Sequence, residues 1–213
     1  MPWGSLRPML PGNEAEVARI MERLRTFALE LLRWNQGVSN LVSHDDETRL
    51  VERHLAESLA GLNIINSLDC KRLVDFGSGG GFPALPLALA GAGEHWTLVE
   101  SRRNKTLFLR RAVQALALEQ VEVITGRLEA LPREQLDALR ADAFTSRATL
   151  KLGPTLALAA MLLPPGGHAI LWKGSGIHDE LAAAREVLSR EWSEPVLHAL
   201  PESLNTIVVL TKK

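Results

Sequence analysis

At 213 residues, with 46% hydrophobic and 23% charged side chains, the chain has the make-up of a globular protein able to bury a substantial core. Its net charge of −1 argues against indiscriminate nucleic-acid binding, which rests on a large positive field, but leaves room for a local basic patch. No apolar run reaches the ~18 residues of a membrane span, and the single cysteine, Cys70, excludes an internal disulfide framework or a multi-cysteine zinc site.

Residues 1–12, rich in Pro and Gly and without periodicity, are expected to be a loose lead with no secretory pattern, so a cytoplasmic location is expected. A helix is predicted from Asn13, whose side chain can cap it while Glu16 bonds back. Val17, Ile20, Met21, Leu24, Phe27, Ala28 and Leu31 recur on one face of that helix. The amide-rich stretch Trp34 to Leu41 is predicted as a turn. A second helix follows from Glu47 to Asn66, with Val51, Leu55, Leu59 and Leu62 on a face. Residues 1–66 therefore form a helical cap on a domain of residues 67–213, the two making one integrated unit.

From residue 71 short apolar strands alternate with helical patterns: Arg72–Phe76, Trp96–Glu100, Val121–Ile124, Ala143–Ser146 and His168–Lys173, with helices near 84–91, 103–117, 150–162 and 177–190. That alternation implies βαβ crossovers and an α/β fold with a mostly parallel sheet covered on both faces. Val196–Leu200 and Asn205–Thr211 follow each other across a short Pro-containing turn and should pair antiparallel.

The first strand runs into Asp75-Phe76-Gly77-Ser78-Gly79-Gly80-Gly81-Phe82. Alternate glycines permit positive φ and let the backbone approach a ligand at the carboxyl end of a strand, where α/β sheets bind ligands. Asp75 is placed to meet a cationic or N–H-rich part of that ligand. Two cofactor classes use such a loop, and Gly79 to Ala84 formally satisfies the dinucleotide pattern. S-adenosylmethionine is favoured, because Asp75 would repel a pyrophosphate and Glu100, ending the next strand, can hold both ribose hydroxyls. The antiparallel ending and the turn Leu163-Pro164-Pro165-Gly166-Gly167 also resemble those of class I methyltransferases.

Several segments together resemble one family, the bacterial small-subunit ribosomal RNA guanine-N7 methyltransferases (RsmG/GidB). They are Trp34-Asn35 through Asn40-Leu41, His54-Leu55-Ala56-Glu57-Ser58-Leu59, the glycine loop with Phe82-Pro83, Gly126-Arg127-Leu128-Glu129, Thr145-Ser146-Arg147-Ala148 and Trp172-Lys173-Gly174. Ala84 stands where the family often has Gly, and Glu57 where it often has Asp. The resemblance implies methyl transfer from S-adenosylmethionine to N7 of a guanine in the 530 loop of 16S ribosomal RNA. It implies cofactor contacts from Gly77 and Phe82, the turn Glu100, Ser101 and Arg102, Leu128 with Glu129, and Arg147; Asp75 and Gly79 complete the loop set. Leu128 is expected to cover the adenine ring.

Guanine N7 has a free lone pair, so no general base is needed and positioning carries the reaction. Arg147 and Lys173, at successive strand ends, are the candidates for positioning the guanine, and Arg127 for RNA phosphate. The alternatives are an ion pair of Arg147 with Asp75 or Glu100, a solvated Lys173 and a solvated Arg127. The cluster Arg102, Arg103, Lys105, Arg110 and Arg111 is the densest positive patch. His54 is expected to be a buried structural histidine, and Trp34 to pack the cap against the domain, with RNA contact the alternative for each. The small ribosomal subunit is the expected partner; no metal or membrane is expected, and a monomer, since no apolar surface stripe is left over. A small-metabolite methyltransferase, a nicotinamide oxidoreductase and a non-catalytic cofactor sensor remain the competing readings.

Overall fold

The computed structural model describes residues 2–38, 40–201 and 203–213. Met1, Ser39 and Glu202, one residue each of the predicted lead, of the predicted Trp34–Leu41 turn and of the turn before the last strand, lie outside the described residues.

The lead is not loose. A 3-10 helix, Trp3–Met9, buries Leu6 completely, and Leu10 after it is also buried. Helix α1, Glu14–Gly37, starts with the expected capping box: the Asn13 side chain accepts from Ala15 and Glu16, and the Glu16 carboxylate accepts from the Asn13 N–H. All seven residues of the predicted apolar stripe are buried. The helix runs through Trp34 and Asn35 rather than turning there, because Asn35 faces inward and satisfies the chain that follows. Its Oδ1 accepts from the Leu41 and Val42 N–H groups and its Nδ2 donates to the Val42 carbonyl. Trp34 packs on Phe108, ring centroids 5.9 Å apart.

The predicted second helix is split into α2 (His44–Thr48), a π-helix (Leu50–Ala56), α3 (Glu57–Leu59) and α4 (Leu62–Ser67). Glycine at position 61, between α3 and α4, has a packing cause: a Cβ there would lie 2.4 Å from the Trp172 ring. The wide π turn shifts carbonyls off the regular ladder, a geometry often found at functional sites.

The sheet holds β1 (Arg72–Phe76), β2 (His95–Glu100), β3 (Val121–Thr125), β4 (Ala143–Arg147), β5 (His168–Lys173), β6 (Val196–Ala199) and β7 (Thr206–Thr211). Their order is β3-β2-β1-β4-β5-β7-β6, parallel through β5, with β7 antiparallel to both neighbours. Helices α5 (Ala84–Leu89) and α6 (Arg103–Ala115) join α1 on one face. On the other lie α7 (Arg133–Leu139), α8 (Leu152–Leu162), α9 (Ile177–Ala183) and α10 (Arg185–Glu191). Strand alternation divides the core accordingly: Leu73, Leu98, Ile170 and Trp172 belong to the cap-side cluster, and Val74, Val99, Phe144 and Leu171 to the opposite one. The cap's α1 and π-helix share the first cluster with β1, β2 and β5. Among the described residues, no helix is long and apolar enough to cross a membrane.

Candidate active site

Two cavities open at the carboxyl ends of the central strands, and Leu150 lines both. The first, about 200 Å³, lies between the ends of β1, β2 and β3 and is lined by Phe76, Gly77, Val99, Glu100 and Gly126. The second, about 260 Å³, lies beyond β4 and β5, with Ser146, Thr149, Lys151, Lys173 and Glu180 in its wall.

The glycine loop is shaped as its sequence requires. Gly77, Gly79 and Gly81 have φ of +69°, +53° and +88°, values that side-chain-bearing residues adopt only at a cost. A Cβ on Gly77 would also lie 2.5 Å from the Thr149 methyl group. The Gly77 N–H donates to the Val99 carbonyl at 2.9 Å, locking the loop onto β2.

Glu100 anchors the first cavity. Its Oε2 accepts from the Gly79 N–H at 3.0 Å and its Oε1 from the Arg102 N–H at 2.8 Å. Oε1 also lies 3.5 Å from the Ser101 hydroxyl, while Oε2 keeps a lone-pair direction for a further donor. With Ser101 beside it and Phe76, Val99 and Leu150 supplying apolar surface, this cavity suits a nucleoside: a carboxylate for vicinal hydroxyls and walls for a ring. The Arg127 and Glu129 side chains close its outer edge, exposed and 3.6 Å from each other.

Several expectations change. Asp75 does not face the cavity. It is fully buried on the cap side, where its Oδ1 accepts from the Thr145 hydroxyl at 2.7 Å, because the alternation of β1 turns it beneath the glycine loop. Its Oδ2 has no hydrogen-bond partner among the described residues. Burial, helped by the nearby Glu100 charge, pushes its pKa up to about 7. Leu128 cannot cover a ring from the cavity, since its side chain is fully buried in the core below. Phe82 likewise supports the loop from beneath, against Phe27 at 5.4 Å and His54 at 5.0 Å between ring centroids.

Arg147 and Lys173 diverge. Arg147 pairs in register with Trp172, so it shares the cap-side face, whereas Lys173, one residue on, takes the opposite face. Arg147 ion-pairs with Glu57 at 2.9 Å, both side chains about nine-tenths buried, not with Asp75 or Glu100. It also donates to the Arg53 carbonyl of the π-helix. Glu57 accepts in addition from Ser203 and Asn205, joining the cap, β4 and the β6–β7 turn. His54 is largely but not fully buried, its side chain 14% exposed and 3.7 Å from Asp46, and burial with the Arg147 charge lowers its pKa to about 4. Lys173 is not solvated: 9% exposed, its ammonium donates to the Leu150 carbonyl at 2.7 Å and to Glu180 at 2.9 Å.

Sequence reasoning missed Leu150, Lys151 and Glu180 around the second cavity. Glu180 lies on a helix seven residues after Lys173 with no motif of its own; only the fold brings it back to the strand end. Cys70 is buried, as expected. Among the described residues no group of His, Cys, Asp and Glu side chains could hold a metal ion.

A β3-β2-β1-β4-β5-β7-β6 sheet with a glycine loop after β1 and an acid ending β2 is the architecture of class I methyltransferases. Solved structures share it: an O-methyltransferase from Bacillus cereus in complex with SAH, at TM-score 0.60 and 14% identity over 98% of this chain and 96% of that one. An rRNA methylase from Streptococcus thermophilus matches at TM-score 0.52 and 17% identity over 72% and 94%. Within that class the chain belongs to the GidB family, rRNA small subunit methyltransferase G, whose model matches residues 20–201. Relatives named ribosomal RNA small subunit methyltransferase G include one from Roseiflexus castenholzii, 36% identical over 91% of this chain and 84% of its own length. One from Xanthomonas oryzae is 38% identical over 90% and 84%.

Proposed function

We propose that the chain transfers a methyl group from S-adenosylmethionine to N7 of a guanine in 16S ribosomal RNA, the 530 loop being the target that family resemblance implies. The observation that carries this reading is the pair of cavities meeting at Leu150, one suited to a nucleoside and the other walled by a buried cation and its carboxylate. When bound, the cofactor supplies an electrophilic methyl group. In this reading Glu100 holds the ribose hydroxyls, with Gly77 and Gly79 letting the backbone come close. Ser101, Arg102 and the main chain at Leu128 and Glu129 border the nucleoside, while Asp75 and Phe82 hold the loop in shape from below. Lys173 then remains the positioning cation. Arg147, held in the Glu57 cluster, acts by fixing the cap and the end of β4.

RNA needs cations despite the net charge of −1. Arg102, Arg103, Arg127 and Lys151 are exposed and follow the ends of β2, β3 and β4; Arg127 borders the first cavity and Lys151 the second, a local patch suited to phosphate. Lys105, whose Nζ lies 3.8 Å from where a Cβ on Gly79 would be, extends it toward the loop. Transfer from labelled cofactor to small ribosomal subunits, naked 16S RNA and a metabolite pool tests the reading, with the modified nucleotide mapped. Label at guanine N7 of 16S RNA is the expected result; label in the metabolite pool alone would overturn it.

A further inference from the structure

We propose that Glu180 is a specificity-determining residue, accepting hydrogen bonds from the N1–H and 2-amino group of the target guanine while Lys173 donates to O6. The proposal rests on the guanine-N7 reading above and assigns the base-reading groups of the second cavity.

The pair is held from several sides. Glu180 Oε2 accepts from the Lys173 ammonium at 2.9 Å and from the Leu152 N–H at 2.6 Å. Lys173 is fixed again by the Leu150 carbonyl at 2.7 Å. Yet neither group is saturated. An ammonium has three donors and two are used here; Oε1 of Glu180 has no partner among the described residues, and the side chain is 25% exposed in the cavity wall. The wall therefore offers a spare donor beside a spare acceptor, preorganised before any base arrives.

That order matches guanine and opposes adenine. Guanine presents an O6 acceptor next to an N1–H donor, with the 2-amino donor beyond; adenine presents an N6 donor next to an N1 acceptor. Adenine would set donor against donor and acceptor against acceptor. Both contacts to guanine lie away from N7, whose lone pair stays free. In the transfer that lone pair forms the new N–C bond, the S–C electron pair remains on sulfur, and the base gains the positive charge that the sulfonium loses. No proton leaves. As that charge spreads through the ring, N1–H and the 2-amino group become stronger donors, so the Glu180 contacts tighten in the transition state, where they accelerate the reaction.

The test compares kcat/KM for N7 methylation of small subunits reconstituted with guanosine or with inosine, which lacks the 2-amino group, at the mapped nucleotide. For the wild-type chain, inosine should lower kcat/KM on the order of ten- to hundred-fold, the size of one hydrogen bond to a charged group. In Glu180→Ala the guanosine-to-inosine ratio should fall toward one, and in Glu180→Gln part of the way. A residue that merely caps Leu152 would lower both rates and leave the ratio intact, which would overturn the proposal. Equal use of inosine and guanosine by the wild-type chain would overturn it too, even if the alanine variant does not fold. A wild-type chain that leaves guanosine N7 unmethylated would instead sink the reading of the acceptor, and this proposal with it.

Discussion

The Arg147 guanidinium and the Glu57 carboxylate meet at 2.9 Å with only about a tenth of either side chain exposed, and the contact joins the end of β4 to the cap. Removing one partner of a buried pair leaves an unpaired charge, which costs ~3–5 kcal/mol. Arg147→Ala should therefore lower urea-unfolding stability by about that amount, and Glu57→Gln by less, since Ser203 and Asn205 can still donate to the amide oxygen. A residue that only positions the guanine would instead give an alanine variant that folds normally and loses activity; an unchanged unfolding midpoint would favour that role over the structural one.

His54 and Asp75 should offset each other in the pH dependence of stability. His54, lowered to about 4 by burial and Arg147, with Asp46 and Arg53 also nearby, stays neutral in the fold while the unfolded chain binds its proton below 6.5. Stability from this group is lost as pH falls through that window. Asp75, raised from 3.8 to about 7, keeps its proton in the fold, so its contribution is full at low pH and lost as pH rises. Each slope is about 1.4 kcal/mol per pH unit and the signs oppose. The wild-type profile should then rise only gently from pH 4 to 6.5, through His168 alone. Asp75→Asn should show stability rising with pH across that range, steepened by His168, whose pKa burial also lowers. His54→Gln should show it falling. Two flat variant profiles would contradict both assignments.

Gly77 carries two separable constraints, its φ of +69° and the 2.5 Å approach of its notional Cβ to Thr149. Gly77→Ala should lower stability and weaken S-adenosylhomocysteine binding. Adding Thr149→Ser removes the obstructing methyl group and should restore only part of the loss, since the backbone term of ~1–2 kcal/mol remains. Calorimetric titration and denaturant unfolding of the single and double variants would show whether the two changes couple; simple additivity would refute the clash.

Glu100→Gln should weaken S-adenosylhomocysteine binding on the order of ten- to hundred-fold, with little change in unfolding, because the amide oxygen still accepts from a loop N–H. Unaltered affinity by calorimetry would remove Glu100 from the ribose site.

Much of this was legible because the informative residues act locally. Asn13 and Glu16 cap within one helical turn, and each parallel strand is a short apolar run whose β-propensity needs no distant partner. The carboxyl-end location of the site follows from the topology. What could not be read were contacts made through space. Leu6 has no periodic partner to advertise its burial, and the need for glycine at position 61 depends on Trp172 from a strand far along the chain. Asn35 reads as a turn former until its acceptors at residues 41 and 42 are known. Short α7, Arg133–Leu139, offers only Leu136 and Leu139 to the core, too little periodicity to register. Arg147 and Lys173 look equivalent as strand-end cations, and only strand phase separates them.

That phase sets where the gene can absorb length changes. β5 is clamped in register by β4 on one side and β7 on the other, with Trp172 donating to the Glu57 carbonyl and Lys173 to Glu180 from adjacent positions. A single-codon insertion or deletion between His168 and Lys173 would exchange the two side chains, sending an ammonium into the apolar cap and an indole into the polar cavity. The same change in the β6–β7 turn, near the exposed Leu204, would move neither. Relatives of this chain should accordingly keep the length of β5, from His168 to Lys173, fixed.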